Sequence, residues 1–160
     1  MLKSDAITSG LIGNAIISYI HYLGVMICLS SLVLQRRLIQ TRLSKYDFSL
    51  IIISDVIYGI SSLLVLISGI LRVLYFGQTS TFYIENPLFW WKVGIYLAIE
   101  GLSLYPTVTY VLWIIPLIKG SIPTVDQQVI SRLNFILSIE ILTFIIIPFL
   151  AILMTHGIDI

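Results

Sequence analysis

The amino-acid sequence predicts an all-α fold, an integral membrane four-helix bundle that takes up residues 1–160 as a single domain. Composition is the first reason, because 58% of the 160 residues are hydrophobic, only 11% are charged and the mean hydropathy is +1.03. A soluble domain is nearer a quarter charged, and one of this size could not hide so much apolar surface. The second reason is a set of four apolar runs, each long enough to cross a bilayer.

The four predicted spans follow one another along the chain. The first covers residues 11–34 and the second residues 48–71. The third, residues 87–113, begins at Asn86-Pro87, where Asn can cap the free backbone N–H groups and Pro fits the first helical turn. The fourth, residues 133–155, follows a break at Gly120-Ser121-Ile122-Pro123. Each run has the length of a transmembrane helix with some tilt.

Other classes of protein fit the sequence poorly. The alternating pattern of a membrane β-barrel is not seen. A formal net charge of +1 does not suggest nucleic-acid binding. Cys28 is the only cysteine, so neither an internal disulfide nor a Cys-x-x-Cys site can form. We expect membrane lipid as the main partner, a homo-oligomer or a larger membrane complex as protein partners, and no nucleic acid.

Basic residues predict the orientation in a cytoplasmic (inner) membrane. The first and third loops carry six Lys and Arg residues, whereas the opposite side has three, Lys3, Arg72 and Lys92. This bias predicts that loops one and three are cytoplasmic and that both termini are outside. Aromatic residues gather on the opposite side, where they either anchor the protein at the interface or edge a site for an amphipathic ligand: Tyr75, Phe76, Tyr83, Phe89, Trp90 and Trp91.

Ionisable side chains within or beside the spans mark the candidate functional residues, because a charge in a bilayer is costly and usually functional. At 1.5 Å per helical residue they sort into three layers. Asp55 and Glu140 lie roughly 10 Å from the predicted cytoplasmic end, and His21 and Glu100 roughly 20 Å. The remaining ones lie roughly 30 Å or more from that end: Arg72, Lys92 and His156.

Helical spacing puts many of these residues on polar stripes. One stripe on the first span joins His21 to Cys28, and one on the third joins Lys92 to Pro106. Small residues such as Gly94-x-x-x-Ala98 are expected to let helices approach closely.

Asp55 and Glu140 form the predicted proton-sharing pair. Two carboxylates at one depth cannot both be charged cheaply in a low dielectric, so we expect one to be protonated or the two to share a proton. The alternative is a structural hydrogen bond between the second and fourth spans. Glu100 is expected to be neutral, bonded to His21, or both.

His21 is the candidate ligand, since imidazole commonly binds haem iron or a metal. The alternative is a buried histidine that only forms hydrogen bonds. Arg72 and Lys92 near the predicted outer surface either extend to lipid head groups, as long basic side chains do, or form an anion or propionate site.

Three segments together resemble the bacterial predicted-membrane-protein family DUF2214. They are Ser54-Asp55-Val56-Ile57-Tyr58-Gly59, then Ser68-Gly69-Ile70-Leu71-Arg72-Val73, and then Asn86-Pro87-Leu88-Phe89-Trp90-Trp91-Lys92 followed by Leu102-Ser103-Leu104-Tyr105-Pro106-Thr107. The resemblance extends over nearly the whole chain. It implies a four-helix inner-membrane protein and no particular activity.

The chain also resembles, more distantly, the four-helix haem-b protoporphyrinogen oxidases and the copper-resistance-type membrane domains. His21 followed by Arg37, and Lys92 at the start of the third span, match the oxidase pattern. The sequence departs from it at Trp90, where the oxidases have a His, and at Cys28, near the place of a family Trp. The resemblance implies haem b with His21 as its iron ligand.

Three functional hypotheses follow. The first is a haem- or tetrapyrrole-binding redox protein, oxidoreductase-like if an enzyme, with Lys92 and Glu100 in the reaction and Arg37 and Arg72 beside His21 in the cofactor site. The second is a non-catalytic subunit or assembly factor of a larger membrane complex. The third is a small proton-coupled transporter that uses Asp55 and Glu140.

Overall fold

The computed structural model describes residues 2–40, 43–76 and 80–156, and side chains at 10–40, 43–76, 81–154 and 156. The described residues are almost entirely helical, and none of them lies in a β-strand. The all-α prediction is therefore confirmed. Arg42, one of the basic residues used to predict orientation, lies outside this part of the chain.

The described residues form five α-helices and one π-helical turn. In chain order the helices are α1 (Leu2–Leu38), α2 (Lys45–Leu71), α3 (Ser80–Ile84), α4 (Pro87–Ile118) and α5 (Gln127–Thr155). The π-helical turn, Arg72–Phe76, continues directly from α2. In the part of the chain that the structure describes, four segments are long and apolar enough to cross a membrane: Gly10–Leu38, Lys45–Phe76, Pro87–Ile118 and Gln127–Met154.

Side-chain caps explain where three of the long helices begin. Ser44 and Asp47 form a capping box, in which the Asp47 N–H donates to Ser44 Oγ over 3.2 Å and the Ser44 N–H donates to Asp47 Oδ2 over 2.8 Å. Asn86 Oδ1 accepts from the Leu88 N–H at 2.9 Å, and Asp126 caps α5 in the same way. Because caps use polar residues outside the apolar runs, α2 and α5 begin before the boundaries predicted from hydropathy.

The four long helices form a ring in which each packs on two neighbours. α1 packs mainly on α2 and also on α5, and α4 packs mainly on α5 and also on α2. The two ends of the bundle differ in character. The basic end carries the α1–α2 and α4–α5 connections with Arg36, Arg37, Lys45 and Lys119, and the aromatic end carries the π-helical turn, α3 and the start of α4.

The outer surface of the bundle is apolar, as lipid requires. Large hydrophobic side chains on all four long helices are more than half exposed, among them Ile16, Ile60, Leu104 and Phe149. A continuous cluster fills the interior, with Leu32, Ile51, Leu133 and Leu137 at its centre. Exposed apolar side chains outnumber buried ones because every helix turns one stripe inward and the rest toward the acyl chains.

Two glycines of α1 lie against neighbouring elements, Gly24 against α2 and Gly13 against the π-helical turn. A Cβ on Gly24 would lie 2.8 Å from Val65 Cγ2, and one on Gly13 would lie 2.7 Å from Phe76 Cε1. The Gly94-x-x-x-Ala98 motif, predicted to mediate close packing, does not do so within the chain. Gly94 and Ala98 are exposed, and a Cβ on Gly94 would meet nothing within 4 Å, because this face of α4 points away from the bundle.

Candidate functional site

A column of polar side chains runs through the bundle interior from the basic end to the aromatic end. It begins with three buried polar groups, passes two hydrogen-bonded carboxyl groups and a pair of hydroxyls, and ends at a histidine with two neighbouring cations. Each of the four long helices contributes to it, through the inward stripe whose spacing is visible in the sequence.

The first level, at the basic end, contains Gln35, Tyr110 and Glu140. Their exposed fractions are 1%, 1% and 0%. Among the described residues, the Gln35 amide, the Tyr110 hydroxyl and both Glu140 carboxyl oxygens have no hydrogen-bond partner. Buried polar atoms are nearly always paired, so this level is unusual.

The next level holds two of the three intramembrane carboxyl groups. Thr107 Oγ1 donates to Asp55 Oδ1 at 3.2 Å, and the Tyr58 hydroxyl donates to Glu100 Oε1 at 3.2 Å. Both bonds join α2 to α4. Glu100 and Asp55 both act electrostatically on Glu140. No hydrogen bond joins Asp55 to Glu140 in the described residues.

Hydroxyl groups continue the column toward the aromatic end. Ser62 Oγ and the Tyr96 hydroxyl lie 2.9 Å apart, and Tyr96 also donates to the Ser62 carbonyl at 3.0 Å. On the α1 side, Cys28 Sγ lies 3.9 Å from the Tyr58 carbonyl oxygen and is fully buried. The lone thiol is thus a packing residue between α1 and α2.

His21 is held by α2 through one ring nitrogen. Nδ1 lies 3.1 Å from the Val65 carbonyl oxygen and 3.0 Å from Ser68 Oγ. A carbonyl oxygen can only accept, so Nδ1 carries the proton. In the neutral imidazole Nε2 then has a free lone pair. The partner of His21 is therefore α2, and Glu100, the other candidate, bonds to Tyr58 instead.

Two cations lie close to this histidine. Arg72, from the π-helical turn, and Lys92, from α4, both act electrostatically on His21 and on each other. The Arg72 guanidinium lies 5.4 Å from the centre of the Tyr22 ring, and Lys92 Nζ lies 5.4 Å from that of Phe89. Arg72 Nε is buried and, within the described part of the chain, has no partner. We call His21, Arg72 and Lys92 the basic cluster. It lies toward the aromatic end of the bundle, away from the basic end.

Other predicted site residues lie elsewhere. Arg37 is exposed at the basic end, about 24 Å along α1 from His21 by helical rise. His156 is exposed at the end of α5, where its Nδ1 bonds to the Ile152 carbonyl at 3.0 Å. Trp90, which stands where the haem-b oxidases have a His, donates from Nε1 to the Ile84 carbonyl at 3.0 Å. Neither His156 nor Trp90 joins the basic cluster.

Two members of the first level, Gln35 and Tyr110, were not predicted as site residues. The signal was present, since Gln35 lies seven residues after Cys28, and Tyr110 lies four residues after Pro106, on the two polar stripes. An uncharged side chain at such a spacing does not stand out among packing residues. Only the absence of partners in the folded bundle sets the two apart.

In the part of the chain that is described, no three His, Cys, Asp or Glu side chains lie together so that they could hold a metal ion.

A shallow surface depression of about 570 Å³ lies at the aromatic end, lined by Glu85, Pro87, Trp90, Trp91 and Gly94. It adjoins the end of α4 that supplies Lys92.

The profile of a family described as predicted membrane protein, DUF2214, matches residues 13–159. The chain belongs to the DUF2214 family. No curated protein and no solved structure matches it. The four apolar helices of the fold agree with the family description. The comparisons give no support to the more distant resemblance to haem-b oxidases and copper-resistance-type domains.

Proposed function

We propose that this protein binds a tetrapyrrole, with haem b as the expected cofactor, and has a redox role in the cytoplasmic (inner) membrane. One observation carries the proposal. His21 combines an Nδ1 proton held by the Val65 carbonyl with two neighbouring cations, Arg72 and Lys92. A partly buried basic cluster without a carboxylate partner among the described residues favours an anionic ligand.

The donor set fits haem at three points. Nε2 of His21 would bind the iron, and a backbone carbonyl on the other ring nitrogen is the usual partner of a metal-bound histidine. Arg72 and Lys92 would bind the propionates through charge-assisted hydrogen bonds. When bound, haem supplies one-electron transfer. Arg37 stays a prediction of the resemblance, since it lies at the other end of α1.

Glu100 is assigned as the proton carrier of this site. Lys92, Tyr96 and Glu100 follow at intervals of four on α4, so they share one face of the helix. Tyr58 donates to Glu100, and Tyr96 bonds to Ser62, which places hydroxyl groups between the carboxyl group and the basic cluster. Lys92, next to the cofactor, and Glu100, as the exchanging acid, are the candidates for the catalytic roles.

The test is the absorption spectrum of detergent-purified protein, oxidised and dithionite-reduced, after growth with haem supply. We expect a Soret band and reduced α and β bands at near-stoichiometric haem. His21→Ala should lose most of the Soret absorbance at equal protein concentration. Arg72→Ala and Lys92→Ala should keep the band and weaken haem affinity, each by about tenfold, the effect of about 1.4 kcal/mol.

His156→Ala is the matched control, because this exposed histidine only caps α5. Its spectrum should equal that of the unmodified protein. A colourless protein under haem supply would contradict the proposal. So would a His21→Ala protein that retains the full Soret band.

A second candidate function is supported by the outward face of α4. Gly94, Ala98 and Gly101 are exposed there, and small residues let a second helix approach closely in lipid. We propose this face as a contact with a second copy or with another subunit, which would make the protein a component or assembly factor of a membrane complex. Cross-linking in membranes would test it: Gly94→Leu should abolish a specific cross-linked product, and an unchanged product would contradict the contact.

A further inference from the structure

The level formed by Gln35, Tyr110 and Glu140 is not used by the tetrapyrrole proposal. We propose that these three side chains form a binding site for one Na⁺ ion. The site is independent of haem, because it lies at the opposite end of the polar column from His21.

Contacts between helices put the three residues within about one helical turn of each other in height. Arg36 Nε donates to Ser138 Oγ at 2.7 Å, which sets α5 against α1 next to Gln35. The Tyr58 and Phe144 rings, with centres 6.1 Å apart, set Glu140 of α5 about one turn further along. Ser54 Oγ donates to the Ser31 carbonyl at 3.0 Å, which sets α2 against α1.

The register of α4 brings Tyr110 to the same level. Phe48 and Trp113 stack edge to face with ring centres 4.9 Å apart, and Thr107 bonds to Asp55. Tyr110 therefore lies between these two contacts, opposite the buried Ile51 of α2. The electrostatic action of Glu140 on the Tyr110 hydroxyl agrees with this placement.

Charge then decides the class of ligand. A carboxylate that is 0% exposed is expensive unless it is neutralised, and no Lys or Arg of the described residues pairs with Glu140. Arg36, the nearest basic residue along this part of α1, is exposed and bonds to Ser138. One bound positive charge would remove the cost.

The unpaired atoms suit a small hard cation. The Glu140 oxygens, Gln35 Oε1 and the Tyr110 hydroxyl oxygen are all oxygen ligands, which such cations prefer. Gln35 Nε2 can at the same time donate to the second Glu140 oxygen or to a water molecule. A single occupant would thus satisfy every atom of this level that lacks a partner.

Other ionisable groups near Glu140 could also change their protonation with pH. Asp55 and Glu100 act on Glu140 directly, and the hydroxyls of Tyr58 and Tyr110 lie within range of its charge. Any dependence of stability on pH or Na⁺ must therefore be assigned by comparing variants at Glu140.

The experiment measures the thermal unfolding midpoint, Tm, of purified protein in lipid nanodiscs. NaCl is exchanged for choline chloride at constant ionic strength, and the pH is varied separately. A ligand that binds only the folded state raises Tm with its concentration. If Na⁺ is the occupant, Tm rises by several degrees with NaCl. If Glu140 is instead neutralised by its own proton, Tm ignores Na⁺ and falls as the pH rises, and the proposal fails.

The response to Na⁺ must depend on the site. Glu140→Gln, which keeps the side-chain volume and removes the charge, should fold and lose the response. Tyr110→Phe removes one oxygen ligand and should weaken the apparent affinity by about tenfold, or about 1.4 kcal/mol. Tyr105→Phe is the matched control, since it removes a half-buried phenol about 140° around the same helix, and it should respond like the unmodified protein.

Two results would overturn the proposal. One is a Tm that does not depend on Na⁺. The other is a dependence that both Glu140→Gln and Tyr110→Phe retain. If Glu140→Gln does not fold, Tyr110→Phe alone decides, because it leaves every charge in place. Haem content is recorded in parallel, so loss of this site can be told apart from loss of the tetrapyrrole.

Discussion

Individual residues in the bundle interior act through pairs, and the partner determines what each one does. Glu100 and Asp55 both carry a carboxyl group on the inward face of a helix, and each accepts one hydrogen bond across the α2–α4 contact. Glu140 accepts none in the described residues. The same side-chain chemistry thus gives two structural links and one candidate binding group.

Thr107→Val tests the link at Asp55. The substitution keeps the shape and leaves a half-buried carboxyl oxygen without its donor, so it should lower the free energy of unfolding by about 1–3 kcal/mol. The measurement is equilibrium unfolding in mixed detergent and dodecyl sulfate micelles. Thr109→Val is the control, because Thr109 donates only to the Tyr105 carbonyl of its own helix. Equal effects of the two substitutions would show that the bond to Asp55 contributes nothing.

Sequence reasoning identified the ionisable residues of the column and missed the neutral ones. A charge in an apolar run is visible without a structure, as at His21, Asp55 and Glu140. The importance of Gln35 and Tyr110 depends on which atoms surround them, and that is set by the packing of four helices. Spacing gives the face of a helix but does not give its partner.

At the scale of elements, the presence of four long helices followed from hydropathy, and their ends and relative heights did not. Glu100 and His21, expected at one depth, lie apart, since Glu100 contacts Tyr58 whereas His21 contacts Ser68, about 15 Å further along α2. Depths were counted from predicted span ends, and capped helices begin before those ends. Residues 72–86, predicted as a loop, contain the π-helical turn that places Arg72 near His21.

Gly24→Ala tests the close approach of α1 and α2. The new Cβ would lie 2.8 Å from Val65 Cγ2 and 3.4 Å from the Ser61 carbonyl oxygen, and a valine has little rotamer freedom in a helix. Overpacking of this kind should cost about 1–3 kcal/mol in the free energy of unfolding. The double variant Gly24→Ala with Val65→Ala should recover much of that loss.

Gly59→Ala is the control for this pair of helices. A Cβ at Gly59 would meet no atom within 4 Å, so the substitution should be neutral or stabilise α2 by about 0.5–1 kcal/mol. The readout is the same micelle unfolding curve. A Gly24→Ala protein as stable as Gly59→Ala would mean that the two helices are not in close contact at this point.

For the whole molecule, composition and hydropathy were enough to predict the class of fold. An apolar surface on every long helix, and ionisable side chains that face inward, follow from replacing water by lipid as the solvent. The arrangement of the four helices into a ring, with α1 between α2 and α5, was not predicted. Four similar apolar helices can pack in several orders, and hydropathy does not distinguish between them.

The whole-molecule prediction that remains open is the orientation, with the basic end in the cytoplasm and the aromatic end outside. The native Cys28 is fully buried, so background labelling by a membrane-impermeant maleimide should be low. Glu85→Cys, exposed at the aromatic end, should react in intact spheroplasts. Ser121→Cys, exposed in the α4–α5 connection, should react only after lysis, because the bilayer separates the two ends. The reverse pattern would place the basic cluster of His21, Arg72 and Lys92 toward the cytoplasm and the Glu140 level toward the outside.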